Sequence, residues 1–330
     1  MRTPVNIYAA TVSKLVSPAM AGAPDRVYVP NSRAGTVDVI HPALFTIVGH
    51  FIVGRMPHHI TPSWDMTRLY VDNTQSNTLT AIDPRIGTPV ATFPVDDPYN
   101  LYFTPDGSKA IVVAERYQRL DFRDPHTWTL IKSVPIRWPG VDHLDFSADG
   151  RYLIASAEFS GFLVKVDTVT MEVVGEIHVG GHPVDVRVAP DGSVFYVADQ
   201  DRNGVSVIDP VLMQEVGFLP TGREAHGLEV SRDAGSLYVS NRLAGSISVI
   251  DFSTRQVIAT WVVGGSPDMM QISPDGSQLW VSNRYHASVT VVDTRSGRVL
   301  HTIEVGAGPH GLTYFPQPGR FSLGHNGVYR

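Results

Sequence analysis

The sequence of 330 residues contains no cysteine. Disulfides, thiolate metal sites, c-type haem attachment and cysteine nucleophiles are therefore excluded. Long apolar runs are also missing, because no segment approaches the roughly 18 consecutive apolar residues that a membrane helix needs. Basic residues are fewer than acidic ones, with 26 Lys and Arg against 32 Asp and Glu. This charge balance does not indicate a basic surface for binding nucleic acid. We expect a soluble, cytoplasmic protein with no nucleic-acid or membrane partner.

What the chain does contain is a unit that recurs about every 42 residues, a period typical of repeat architectures. Leu237–Asn241 (Leu-Tyr-Val-Ser-Asn) returns as Leu279–Asn283 (Leu-Trp-Val-Ser-Asn). Each unit also has a turn such as Pro274–Gly276, a third strand closing on Asp as in Val249–Asp251, and a fourth strand. Four short strands rich in Val, Ile, Tyr and Thr make one blade, and seven blades in a ring bury each other's faces. The sequence therefore predicts an all-β, seven-bladed β-propeller with four-stranded blades.

The two ends of the repeat predict how the ring closes. The repeat opens on a second strand, residues 26–31, and ends on a first strand, residues 310–315. Pairing of these N- and C-terminal strands would complete one blade and cover its edges. The predicted propeller is a single domain over residues 26–316, with an arm (residues 1–25) across one face and a tail (residues 317–330) packed on the propeller.

The N-terminal arm leaves a second possibility for the location of the protein. Arg2, followed by the small residues around Ala19–Ala23, resembles a secretory cleavage region. Lys14 and several polar residues interrupt any apolar stretch between them. Cytoplasmic location is the favoured expectation, and secretion is the alternative.

The repeated words resemble those of a known family. Tyr-Val-Ser-Asn, Ser-Pro-Asp-Gly and Val-Ile-Asp are similar to the repeats of the YVTN group of seven-bladed β-propellers, also called YncE-like, over roughly residues 26–316. The resemblance implies the fold. It selects no activity, because the group includes enzymes, cofactor carriers and binding proteins.

Function is expected where the repeats differ, at the start of the innermost strands, which line the mouth of the central channel. The first position of these strands reads His58, Tyr99, Asp142, Val184, His226, Asp268 and His310. The second position reads His59, Asn100, His143, Asp185, Gly227, Met269 and Gly311. Five of the 13 histidines of the chain fall in these fourteen positions.

The histidines predict a divalent metal ion. Neutral imidazole is the commonest metal ligand in proteins, and side chains from several blades can converge while leaving an open coordination position. We expect His58, His226 and His310 to bind Zn²⁺, Ni²⁺, Mn²⁺ or Mg²⁺. Strict alternation along a strand would point His59 and His143 differently from these three.

A second ring comes from the ends of the adjacent strands and reads Ser32, Thr74, Glu115, Glu158, Gln200, Arg242 and Arg284. Its polarity could orient an asymmetric small-molecule substrate. Arg242 and Arg284 would bind a carboxylate or phosphate, together with the substrate-binding candidates Asp142, Asp268 and His59. Glu115 and Glu158 would act as acid or base, with His143 and Tyr99 as further catalytic candidates. The alternative is an inter-blade salt-bridge network, with the histidines bonded to the blade backbone.

Pro309–Gly311 and Ala225–Gly227 resemble segments of the streptogramin lyases, propellers of the virginiamycin B lyase type. Those enzymes use histidines and a glutamate around Mg²⁺ to open a lactone ester by elimination. The resemblance implies such roles for His226 and His310, with Glu115 or Glu158 as acid partner. This chain lacks the overall repeat wording of that family.

Two functions follow as hypotheses. The first is a metal-assisted lyase or hydrolase acting on a small ester, lactone or related compound at the mouth of the channel. The second is a non-catalytic scaffold that binds a protein, peptide or glycan, with structural histidines. The chemical variety at the mouth favours the enzyme, although no Gly-x-Ser-x-Gly elbow or Walker sequence is present to support nucleophile-elbow or P-loop chemistry.

Overall fold

Seven four-stranded antiparallel sheets form the blades of a β-propeller, which confirms the predicted architecture. The computed structural model describes residues 6–330, so Arg2 of the secretory hypothesis lies outside the described residues. We number the blades 1 to 6 and call the seventh the composite blade. In the described chain, no helix is long and apolar enough to cross a membrane.

The composite blade contains β1 (Arg26–Asn31), β2 (Thr36–His41), β3 (Thr46–Ile52) and β28 (Thr313–Phe315). Blade 1 contains β4 (Pro57–Pro62), β5 (Leu69–Asn73), β6 (Thr78–Asp83) and β7 (Thr88–Pro94). Blade 2 contains β8 (Asn100–Phe103), β9 (Ala110–Ala114), β10 (Arg119–Arg123) and β11 (Leu130–Pro135). Blade 3 contains β12 (Val141–Phe146), β13 (Tyr152–Ala157), β14 (Phe162–Asp167) and β15 (Glu172–His178). Blade 4 contains β16 (Pro183–Val188), β17 (Phe195–Asp199), β18 (Gly204–Asp209) and β19 (Gln214–Pro220). Blade 5 contains β20 (Ala225–Val230), β21 (Ser236–Asn241), β22 (Ser246–Asp251) and β23 (Gln256–Val262). Blade 6 contains β24 (Pro267–Ile272), β25 (Gln278–Asn283), β26 (Ser288–Asp293) and β27 (Val299–Glu304). Short helical turns occupy Ala9–Val12, Pro18–Met20, Thr74–Ser76 and Glu158–Ser160.

The ring closes as predicted. β28 pairs antiparallel with β1, placing Tyr314 opposite Val27 and Thr313 opposite Tyr28. The first strand of the composite blade therefore comes from the C-terminal end of the repeat, and its other three strands come from the N-terminal end.

The asparagine that ends the second strand fixes the entry into the inner strand. In blade 5, Asn241 Nδ2 donates to Ser246 Oγ at 3.2 Å and Ser248 Oγ at 3.0 Å. Its Oδ1 accepts from the backbone N–H of Gly222 at 2.9 Å. A Cβ on Gly222 would lie 2.7 Å from Asn241 Cγ, so glycine is required at this close approach.

A β-bulge interrupts the inner strands just below the mouth. In β20, Ala225 pairs with Asn241 and Leu228 with Val239, so two inner residues face one residue, Ser240. The same shift occurs in β4, β12, β16 and β24. A bulge breaks the alternation of side chains, and consecutive residues can therefore both face the channel.

Residues 317–330 enter the central channel and pair with an inner strand. Phe103 N–H donates to Leu323 O at 2.9 Å, and His325 N–H donates to Leu101 O at 2.7 Å. Gly324, between them, has φ +89°, and a Cβ there would lie 2.5 Å from Leu101 O. Only glycine fits this conformation and this spacing. The tail thereby carries His325 into the middle of the ring.

The N-terminal arm covers the face opposite the mouth. Tyr8 is buried and its hydroxyl donates to Val188 O at 3.1 Å. Gly319 N–H donates to Leu15 O at 2.7 Å, so arm and tail contact each other. Met20 is buried in the apolar cluster between the composite blade and blade 1.

Candidate metal centre

Six buried histidines meet in the channel and form what we call the histidine cluster. The members are His58 and His59 from β4, His143 from β12, His226 from β20, His310 just before β28, and His325 from the tail. None is more than 4% exposed. Centroid distances between neighbouring rings include 4.0 Å for His58 and His310, 4.7 Å for His59 and His310, and 4.9 Å for His143 and His325. Imidazoles from three blades, the strand that closes the ring and the tail thus form one continuous group.

Three of these rings have Nδ1 close to a carboxylate. His310 Nδ1 lies 2.5 Å from Asp268 Oδ2, and His226 Nδ1 lies 3.2 Å from Asp268 Oδ1. His143 Nδ1 lies 2.8 Å from Asp142 Oδ1. Only the His310 contact has the geometry of a hydrogen bond, and Nδ1 of His143 and His226 has no hydrogen-bond partner among the described residues. A carboxylate hydrogen-bonded to Nδ1 is the arrangement by which metal-binding histidines fix ring orientation, and His310 has it.

His59 follows the same pattern with a partner from the tail. Its Nδ1 lies 2.9 Å from Asn326 Oδ1. Gly311 lies beside this contact, and a Cβ at that position would overlap both side chains. The glycine at the second inner position of the composite blade therefore leaves room for His59 and Asn326.

Several cluster nitrogens have no hydrogen-bond partner among the described residues, although they are buried. They are His58 Nδ1, His59 Nε2, His143 Nδ1, His143 Nε2, His226 Nδ1 and His310 Nε2. A buried polar atom without a partner costs about 1–3 kcal/mol, so six of them in one place make the cluster a candidate ligand site. Two sets of three rings place one nitrogen each within 4.8 Å of the others: His58, His59 and His310, and His59, His143 and His325.

The protonation states fit metal binding. Burial lowers the pKa of His59 to about 3 and lowers the pKa values of His58, His226, His310 and His325 well below the usual value. These rings are therefore neutral at neutral pH, which is the state that binds metals. His143 differs, because the adjacent Asp142 overcomes burial and raises its pKa.

Asp268 is the centre of charge on one side of the cluster. Arg242 Nη2 and Nε lie 2.6 Å and 3.0 Å from Asp268 Oδ1, and Arg242 Nη1 lies 3.2 Å from Glu224 Oε1. Burial opposes the charged carboxylate, but the cations outweigh it, Arg242 first, and lower the pKa of Asp268 to about 2. Arg242 is thus bound in an inter-blade network, the alternative reading of the second ring.

Arg284 lies farther from Asp268 than Arg242 does and is more exposed. Its Nη1 lies 3.7 Å from Asp268 Oδ2 and 2.6 Å from His310 Nδ1, so it has no carboxylate at hydrogen-bond distance. Its side chain is 24% exposed, against 8% for Arg242. Of the two predicted anion-binding arginines, Arg284 is the one that can turn toward a ligand.

The opposite side of the mouth is acidic. Burial, and then the charge of Asp142, raises the pKa of Glu115 to about 7. The same causes raise the pKa of Glu158 to about 8, although Gln200 Nε2 donates to it at 2.6 Å. Tyr99, 9% exposed, stays protonated because burial raises its pKa. Glu115 and Glu158 can therefore donate protons near neutral pH, whereas Tyr99 can offer only a hydrogen bond from its hydroxyl.

The structure brings together most of the residues that the sequence indicated, with one rearrangement. His58 and His310 are neighbours, but His59, expected to bind substrate, takes the third place beside them. His226 pairs with Asp268, and its ring centroid lies 5.7 Å from that of His310. Strict alternation, which would point His59 and His143 away from the other histidines, does not hold here, because the bulge turns both toward the hub.

His325 and Asn326 were missed by sequence reasoning. They lie outside the repeat, so no alignment of blades includes them. The signal that could have found them is the Gly-His-Asn-Gly run, residues 324–327, in a tail that the propeller repeat does not require.

The chain belongs to the YNCE-like β-propeller family, whose profile matches residues 6–318. None of the curated proteins matches the chain. Among solved structures, the hydrazine synthase of Kuenenia stuttgartiensis is similar, with 20% identity, a TM-score of 0.72, and coverage of 85% of this chain and 97% of that chain.

Two further structures have other roles in their names. Dihydro-heme d1 dehydrogenase NirN has 17% identity and a TM-score of 0.68, covering 90% of this chain and 75% of that chain. A putative 6-phosphogluconolactonase from Bacteroides fragilis has 17% identity and a TM-score of 0.72, covering 91% of this chain and all of that chain, 100%. Such distant likeness shows the fold alone, and the fold carries varied functions.

Proposed function

We propose that the protein is a metal-dependent hydrolase or lyase acting on a small anionic ester or lactone, with a divalent ion bound by His58, His59 and His310. The observation that carries this proposal is the set of three buried, unpaired nitrogens, His58 Nδ1, His59 Nε2 and His310 Nε2, on rings that each place one nitrogen within 4.8 Å of the others. Buried unsatisfied groups are few in folded proteins, and three on adjacent rings support a ligand site.

The spacing suits a first-row transition ion after a small contraction. Three nitrogens within 4.8 Å of one another lie at most about 2.8 Å from their common centre, and Zn–N bonds of about 2.0–2.1 Å require each ring to move inward by no more than about 0.7 Å. Imidazole ligands favour Zn²⁺, Ni²⁺ or Mn²⁺ over Mg²⁺, which prefers oxygen.

The residues around the ion have separate tasks. A bound ion would supply Lewis-acid polarisation of the substrate carbonyl. Asp268 holds His310 in orientation, Arg284 binds the anionic group of the substrate, and Glu115 or Glu158 transfers a proton to or from the reacting oxygen. The opposed charges of the mouth thereby orient the substrate over the ion. The near-complete burial of the ligands restricts the substrate to a small molecule.

The first test is metal content together with turnover. Protein stripped with EDTA and re-equilibrated with Zn²⁺ should hold the ion by elemental mass spectrometry and hydrolyse members of a panel of small esters and lactones. His58→Ala with His310→Ala should lose both properties while remaining folded, and the exposed His126→Ala should lose neither. Failure of the wild type to bind any divalent ion contradicts the proposal. Metal binding without turnover of any compound favours the non-catalytic scaffold.

The two arginines provide a matched pair for substrate recognition. Arg284→Gln should raise KM for anionic substrates about 10-fold or more and leave neutral ones unchanged, because one charge-assisted contact contributes about 1.5–3 kcal/mol. Arg242→Gln should instead lower the melting temperature, since it leaves Asp268 without its closest cation. Equal effects of both substitutions on KM would contradict this division of roles.

A further inference from the structure

We propose that the C-terminal tail supplies a metal ligand: His325 completes a second metal site with His59 and His143. The proposal extends the proposed function and rests on it in part, because the two sites share His59. The two sites differ in their other ligands, so each can be removed separately.

The geometry of the second site matches that of the first. One nitrogen of each of the three rings lies within 4.8 Å of the others, and all three residues are buried. Neither ring nitrogen of His143 has a hydrogen-bond partner among the described residues, although Asp142 Oδ1 lies 2.8 Å from its Nδ1. No hydrogen bond has to be broken before this ring binds an ion, and any proton on the binding nitrogen leaves to solvent.

The tail positions His325 closely. The backbone N–H of His325 donates to Leu101 O at 2.7 Å, and its ring stacks on Tyr102 with an interplanar angle of 3° and a centroid distance of 5.7 Å. Amide groups of Asn100 and Asn326 lie 3.0 Å and 3.2 Å from its ring nitrogens. Both ring nitrogens face amide groups, so His325 would exchange one of these contacts for the ion, and the amide that it releases is neutral.

A single ion cannot take all five rings. Ligands of one ion lie at most about 4.2 Å apart when the bonds are about 2.1 Å long. The nitrogens come together in two sets of three, not in one set of five. His58 and His310 belong to one set, and His143 and His325 belong to the other. Two ions are therefore needed to engage the whole group.

His59 lies between the two positions and has a nitrogen on each edge of its ring. Its Nε2 is open, whereas its Nδ1 faces Asn326 Oδ1 at 2.9 Å. With both sites filled, His59 would use both ring nitrogens, its hydrogen bond with Asn326 would be lost, and the imidazole proton would leave to solvent. An ion in the second site would link the tail to blades 1 and 3.

The stoichiometry of Zn²⁺ binding tests the second site. EDTA-treated wild type should bind about two ions per chain, and His143→Ala and His325→Ala should each bind about one, as expected when one set of ligands is lost. His310→Ala should also fall to about one, and the exposed His126→Ala should keep two. One ion in the wild type that both His143→Ala and His325→Ala retain overturns the second site but leaves the proposed function intact. One ion that is lost in His143→Ala but kept in His310→Ala supports the second site and contradicts the first.

Hydrogen exchange of the tail gives a readout that a merely structural histidine would not change. Zn²⁺ should slow exchange in residues 321–330 of the wild type about 10-fold or more, because binding to the folded state suppresses opening. It should have no effect on exchange in His143→Ala, a substitution on blade 3 that leaves the tail sequence intact. Equal slowing by Zn²⁺ in both proteins overturns the proposal.

Discussion

The turns on the face opposite the mouth and the mouth itself both carry carboxyl groups, but their surroundings differ. In the turn of blade 2, Asp106 Oδ1 accepts from Thr104 Oγ1 at 2.6 Å and from Ser108 N–H at 3.0 Å. Although partial burial opposes it, these bonds lower the pKa of Asp106. At the mouth, Asp142 is buried with no hydrogen bond to either oxygen within the described chain. The turn acid is satisfied by hydrogen bonds, and Asp142 is not.

A similar contrast separates Asn241 from the histidine cluster. Asn241, which has counterparts in several blades, uses both ends of its amide in hydrogen bonds. The histidines of the cluster leave six nitrogens unpaired on adjacent rings. Since buried unsatisfied groups are few in folded proteins, their concentration on these rings distinguishes the hub from the repeated framework.

Deleting residues 309–330 should have the largest effect on stability. The deletion removes β28 and exposes the edge of β1, and the ring then lacks the inner strand of its composite blade. The truncated chain should be insoluble or unfold far below the wild type. Deleting only residues 321–330 keeps β28 and should leave a soluble ring of reduced melting temperature. Soluble protein with wild-type unfolding from the longer deletion would contradict the closure.

Two ion pairs sharpen the comparison between the buried interior and the rim. Arg330 Nη2 lies 2.8 Å from Asp145 Oδ1 with both side chains buried, whereas Arg137, on the rim, is 69% exposed beside Glu176. Arg330→Met should cost about 3–5 kcal/mol, because it leaves a buried carboxylate unpaired. Arg137→Met should cost about 0–1 kcal/mol. Urea unfolding of both variants measures the difference, and equal losses would be inconsistent with a docked tail.

Matched substitutions of the two acids test the contrast directly. Asp106→Ala should cost about 1–2 kcal/mol, since it removes several hydrogen bonds worth about 1 kcal/mol each, in part replaced by water. Asp142→Asn should cost less than about 1 kcal/mol in EDTA-treated protein, because neither oxygen is hydrogen-bonded. A larger loss for Asp142→Asn, measured by the same urea unfolding, would show that the mouth is structural.

The smallest expected effect is on the pH dependence of stability. The pKa of Glu158 rises on folding from 4.5 to about 8, so the folded state binds the proton more tightly and stability falls as pH rises through this interval. Glu158→Gln should remove that part of the decline, so its stability should fall less than that of the wild type between pH 6 and pH 8.5. Thermal unfolding of EDTA-treated protein at pH 6 and pH 8.5 measures it. Parallel pH curves for the two proteins would argue against a raised pKa.

The fold could be predicted from the sequence because the residues that define a blade recur in most of the repeats. The Asn of Tyr-Val-Ser-Asn, the Asp of the turn and the Asp that ends the third strand recur at fixed spacing, and each acts through local hydrogen bonds. The position of the hub followed from the same alignment, because the first inner residues of all blades converge on one axis.

The composition of the site was only partly predictable. Strict alternation along a strand would point His59 and His143 away from the other histidines. The bulge that cancels this alternation depends on pairing between strands. His325 lies outside the repeat, so its place in the channel depends on tertiary contacts with Leu101 and Tyr102. Arg242 and Arg284 differ in their contacts because they lie at different distances from Asp268. No local sequence pattern encodes these distances.

Anomalous diffraction at the zinc edge, from crystals equilibrated with Zn²⁺, tests the central claim that the hub is a metal centre. The account predicts a strong anomalous peak bounded by His58 Nδ1, His59 Nε2 and His310 Nε2, with bonds of about 2.0–2.1 Å. Zinc found only at exposed histidines such as His126, with no peak in the channel, would contradict it.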